Sequence, residues 1–102
     1  MSDETEDKPK PQVVKIELKV DERLAGGQYA NICAVNHNDS EFVIDTFFLQ
    51  PGRPTASMNS RTILSPKNAK RLLLTLRDQV ARYEKQFGEI DLGPAGEPFK
   101  LH

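Results

Sequence analysis

From residue 13 to 20 the chain reads VVKIELKV, with Val14, Ile16, Leu18 and Val20 alternating with Lys15, Glu17 and Lys19. Successive strand side chains point to opposite faces, so this period of two predicts a first strand with one wet face. Gly26-Gly27 lies in the link to a second predicted strand, about residues 29–36. The run Asn36-His37-Asn38-Asp39-Ser40 consists of residues that tolerate left-handed backbone or bond to their own main chain, and predicts a hairpin turn. Residues 41–50, EFVIDTFFLQ, form the third predicted strand, stopped by Pro51-Gly52, and residues 56–64 form the fourth.

Ser65-Pro66 then opens a helix, serine being a preferred N-cap and proline being best tolerated at the first helical position. The helix is expected to run to about Phe87 and to stop at Gly88. Ala69, Leu72, Leu73, Leu76, Val80, Tyr83 and Phe87 fall within roughly 100° of arc, one amphipathic stripe expected to pack on the sheet. The predicted fold is α+β, a four-stranded antiparallel sheet followed by one long C-terminal helix, in two layers.

The third strand is apolar on both sides. Phe42, Ile44 and Phe48 point one way and Val43, Phe47 and Leu49 the other, with Asp45 and Thr46 the polar interruptions. The second strand is similar, with Ala30, Ile32 and Ala34 on one side and Tyr29, Cys33 and Val35 on the other. A half-solvated antiparallel sheet shows clean alternation, and one helix covers one face. The second face, with Tyr29, Cys33, Val35, Val43, Phe47 and Leu49, is therefore expected to bury itself against another subunit, most simply in a homodimer, or against a protein partner. The alternative is that the C-terminal tail folds back over it through Phe99 and Leu101.

Composition bounds these elements to one domain over residues 13–90 of the 102. Residues 1–12 carry four acids and no large apolar side chain, the composition of a disordered tail. Residues 91–102, with Gly93-Pro94, Gly96 and Pro98, read as an extended tail. No stretch approaches the ~20 apolar residues of a membrane span, the acidic start is unlike a signal peptide, and there is one cysteine. The expectation is a cytoplasmic protein with no membrane contact.

Net charge is −1, unevenly spread: from Thr46 to Arg77 there are six bases and no acid, leaving eight bases against fifteen acids elsewhere. Arg61, Lys67, Lys70 and Arg71 lie close to the helix start, whose free N–H groups favour anions, so a nucleic-acid phosphate contact there is the second functional reading. Lys67, Lys70 and Arg71 stand at the positive dipole end, and Glu84, Glu89 and Asp91 at the negative end. An antiparallel partner helix would set each basic end against an acidic one.

Nothing assembles a catalytic centre. Gly26-Gly27-Gln28 resembles the tripeptide of peptide-release factors, but the surrounding motif is missing and the glycines read as a flexible connection. His37, Asp39 and Glu41 sit on a tight turn with no second histidine, and Cys33 with His37 falls short of a nucleophile–base pair. No cofactor, metal or enzymatic activity is expected.

Tyr29-Ala30-Asn31, Glu41 to Asp45 (EFVID), Pro51-Gly52, Ser60 to Leu73 (SRTILSPKNAKRLL) and Tyr83 to Ile90 (YEKQFGEI) carry a resemblance to a small prokaryotic family, domain of unknown function 3467. It implies strands followed by a C-terminal helix and lends no activity or site residue. The element order is also similar to that of the export chaperone SecB, an analogy that implies client binding on apolar surface. The reading that follows is a non-enzymatic oligomerising or protein-interaction module.

Overall fold

The computed structural model describes residues 14–94. Along the chain come a one-turn helix α1 (Glu22–Ala25), strands β1 (Ile32–His37), β2 (Phe42–Leu49) and β3 (Ala56–Leu64), and the long helix α2 (Pro66–Phe87). The strands form an antiparallel meander in the order β1-β2-β3. The α+β class, the antiparallel sheet and the C-terminal helix are as expected. The expected tails lie outside the described residues, except for 91–94, which have no regular structure.

The sheet has three strands, not four. Residues 14–20 make no strand, and Val14, Ile16, Leu18 and Val20 are exposed. Alternation states which side of a segment would be buried, but a strand also needs a ladder partner and a layer to bury against, and the described residues present neither to this segment. The chain turns instead into α1, capped by Asp21, whose Oδ1 accepts from the Arg23 N–H at 2.8 Å. Gly27, at φ 76°, then leads towards β1.

The first hairpin follows the expected turn chemistry, and the expected stop at Pro51-Gly52 is itself a second tight turn. Asn38 Oδ1 accepts from the Ser40 and Glu41 N–H groups at 2.8 and 2.9 Å, and the Asn38 N–H donates to the Glu41 carbonyl. Between β2 and β3, Pro51 and Gly52 occupy the central positions of a turn closed by the Arg53 N–H on the Gln50 carbonyl. Gly52, at φ 84°, supplies the left-handed conformation that the third position of a type II turn requires.

The β2–β3 register shifts at Thr46/Phe47: Thr46 faces Ser60 and Phe47 faces Met58, so Asn59 bulges from β3. Its side chain is put to use, accepting from the Thr46 hydroxyl while Nδ2 donates to the Tyr29 carbonyl at 2.9 Å. Asn31 extends the β1–β2 ladder with its side chain, Nδ2 donating to the Leu49 carbonyl at 3.0 Å and Oδ1 accepting from the Leu49 N–H at 2.8 Å. Asn31→Ala removes both bonds at an exposed ladder end where water can replace them, so a thermal melt is expected to show a loss of about 1 kcal/mol.

Helix α2 begins and ends where expected. Ser65 Oγ accepts from the Asn68 N–H at 3.2 Å, and the Gly88 N–H donates to the Glu84 carbonyl at 2.9 Å. Its stripe, however, does not pack on the sheet. No residue of α2 is buried, and Leu73 and Leu76 are 55% and 56% exposed. The two-layer expectation is corrected accordingly. One residue, Ser65, separates Leu64 from Pro66, so α2 has no loop with which to turn back flat across the strands, and its few contacts with the sheet are mainly to β3.

Candidate functional site

Residues paired directly across antiparallel strands share a face. Phe42, Ile44, Thr46 and Phe48 therefore lie with Val35 and Cys33 of β1 and with Leu64, Thr62 and Ser60 of β3. Tyr29 joins this face, its ring edge-on to Phe48 at 6.0 Å. The opposite face carries Val43, Asp45, Phe47 and Leu49 with Ala34 and Ile32 of β1 and with Arg61, Met58 and Ala56 of β3.

The six residues expected to form one interface are thereby divided. Tyr29, Cys33 and Val35 belong to the first face, and Val43, Phe47 and Leu49 to the second. The sequence-based grouping joined the two strands in the wrong phase, because facing depends on register and not on parity within each strand alone.

The first face looks towards α2 across an open groove of about 380 Å³. Val35, Phe42 and Ile44 line one wall; Ala69, Leu72, Leu73 and Leu76 line the other, with Lys70 beside them. Thr46 ends the apolar stretch of the sheet wall, and its hydroxyl lies 2.6 Å from Ser60 Oγ. The groove has the composition of a core but the accessibility of a surface.

The second face holds the buried residues. Ile32 is a buried hydrophobic and Asp45 a buried acid. Arg61 grips Asp45 side-on, Nε to Oδ1 at 2.7 Å and Nη2 to Oδ2 at 2.9 Å, a two-bond fork that locks β3 to β2. Hydrogen bonding to the guanidinium holds the Asp45 carboxyl below its ordinary value against the opposing effect of desolvation, and raises the Arg61 pKa in turn. Ile32, Ala34, Phe47, Ala56 and Met58 surround this pair in a shallow recess of about 530 Å³.

The expected basic site does not converge. Arg61 is committed to Asp45 on the second face, whereas Lys70 lines the groove on the first. Arg71 bonds to Asn68 Oδ1 at 3.2 Å, and Ser65 already serves one of the N–H groups at the helix start, leaving Lys67 as an exposed charge. His37 stacks on Phe42 at 5.2 Å, and among the described residues no group of three His, Cys, Asp or Glu side chains is placed to hold a metal. Cys33 is a free, exposed thiol. Gly26 caps α1, and Gln28 follows it in the connection to β1. No helix of the described residues is long and apolar enough to cross a membrane.

Sequence reading missed the Asp45–Arg61 fork and the two asparagine ties. One signal for the fork was present: Asp45 is the sole acid inside an apolar strand, and such a carboxylate requires a partner.

A family model described as protein of unknown function (DUF3467) matches residues 1–92. No curated protein and no solved structure matches the chain. Several residues that carried the resemblance now have structural tasks. Asn31 ties β1 to β2, Asp45 and Arg61 join β2 to β3, and Ser65 and Gly88 bound α2.

Proposed function

The chain belongs to the DUF3467 family, and we propose that it is a non-enzymatic assembly module, whose apolar surfaces are completed by a second subunit. The observation that carries this reading is the near absence of a core: among the described residues Ile32 is the one buried hydrophobic side chain. Leu72, Leu73, Leu76, Val80, Tyr83 and Phe87 are all exposed on one stripe of α2. These six side chains are 37–65% exposed, so at ~1.5–3 kcal/mol for each fully buried side chain the stripe holds about 5–9 kcal/mol of unused burial. The net stability of a small domain is ~5–15 kcal/mol, so covering this stripe by association is a gain of a similar order. A contiguous apolar surface of this extent marks an interaction site.

Sedimentation equilibrium at tens of micromolar is expected to give at least twice the 11.5 kDa chain mass. The thermal midpoint should also rise with protein concentration, because assembly favours the folded state by mass action. A monomer that unfolds cooperatively with a concentration-independent midpoint would overturn the reading.

A further inference from the structure

The spacing of the exposed residues on α2 is regular. Ala69, Leu73, Leu76, Val80, Tyr83 and Phe87 are separated by alternating steps of four and three, the repeat that keeps one seam of a helix against another helix. Each of Lys70, Arg77 and Glu84 directly follows a seam residue, so these three line one edge of the seam. Leu72, Gln79 and Gln86, which carry no charge, line the other.

We propose that two copies of this chain pair through α2 in antiparallel orientation, each helix inserting its Val80, Tyr83 and Phe87 into the groove of the other. This rests on the assembly reading above and names its occupant. With the two-fold axis passing near Asp78, the seam residues meet as Leu76 with Val80, Leu73 with Tyr83, and Ala69 with Phe87 of the second copy. The smallest seam residue then faces one of the largest, and the incoming side chains lie between Ala69, Leu72, Leu73 and Leu76 on one side and Val35, Phe42 and Ile44 on the other. The contact is self-complementary and closes as a dimer.

Charge selects the orientation. In an antiparallel pair the charged edges of the two helices lie together: Glu84 of the second copy falls between Lys70 and Arg77, nearer Lys70, twice per dimer, which outweighs the one contact of Arg77 with Arg77 of the second copy at the axis. Lys70 already stands beside the groove. A parallel pair sets the charged edge against the uncharged edge of Leu72, Gln79 and Gln86, so it gains no opposite-charge contact and gathers like helix ends together.

The test uses the full chain with Cys33→Ser, so that engineered thiols are the only ones. Copies carrying Ala69→Cys are mixed with copies carrying Phe87→Cys and mildly oxidised. A disulfide linking the two different variants is expected, with neither variant cross-linking to itself. Self-linked Ala69→Cys or Phe87→Cys copies, or no cross-link in a protein that sediments as a dimer, would overturn the antiparallel seam while leaving the assembly reading intact. A monomeric parent would remove both. A second measurement leaves the seam untouched: Lys70→Glu with Arg77→Glu should weaken dimerisation about tenfold, and adding Glu84→Lys to the same chain should restore it. Failure of that restoration would overturn the charge pairing.

Discussion

Leu73→Asp is expected to turn the assembled protein into a monomer with little cooperative unfolding, whereas Leu74→Asp should leave assembly nearly unchanged. The two leucines are neighbours on one helix, and exposure alone ranks them the other way, Leu73 at 55% and Leu74 at 44%. What separates them is direction. Leu73 lies in the seam and lines the groove, whereas Leu74 is about 100° further round the helix. A two-fold contact repeats each loss, and about half of each Leu73 is left to bury, so at ~1.5–3 kcal/mol per fully buried leucine the seam forfeits about 1.5–3 kcal/mol before any cost of burying the new carboxylate. That corresponds to a weakening of roughly 10- to 100-fold in the dissociation constant, to which the buried carboxylate adds. Sedimentation of the two variants at one concentration decides between them. Equal effects would mean that α2 contributes general apolarity and no directed surface.

The punctuation of this fold was legible because it depends on local chemistry. Ser65-Pro66 and Gly88 bound α2 as expected, and Pro51-Gly52 and the Asn38 turn close the two hairpins. What failed depended on partners. Val14 to Val20 alternate as a strand does, yet alternation cannot say whether a ladder or a covering layer exists. The stripe of α2 was also read correctly as a stripe, but its occupant was assigned to the chain's own sheet. Facing across strands failed for a third reason. It requires the register, and the β1–β2 hairpin sets Cys33 opposite Thr46 and Val35 opposite Ile44, not on the side of Val43 and Phe47. An acid inside an apolar strand signalled the need for a base. Identifying that base as Arg61 required the hairpin geometry, and Arg61 was instead grouped with Lys67, Lys70 and Arg71 by sequence proximity.

The fork on the second face makes its own prediction, through the asymmetry of its two ends. The Arg61 side chain is 55% exposed and that of Asp45 only 5%. In Asp45→Ala the freed guanidinium meets water. In Arg61→Ala a carboxylate stays behind among Ala34, Val43 and Phe47 with no partner, so Arg61→Ala should be the more destabilising at neutral pH. The pH dependences should then run in opposite directions. In the parent, the guanidinium depresses the Asp45 pKa in the folded state; its stabilisation is present above the ordinary carboxylate value of 3.8 and is lost as pH falls through the depressed folded value. In Arg61→Ala only desolvation remains, which favours the neutral acid and raises the folded pKa above the unfolded one. That variant should therefore gain stability relative to the parent as pH falls towards 3.8, and lose it as pH rises through the raised value. Asp45→Asn, which has no titrating group, should show neither slope. Denaturant midpoints measured across the acid range check this directly: parallel profiles for the parent and Arg61→Ala would show that the fork carries no coupling between Asp45 ionisation and the β2–β3 contact.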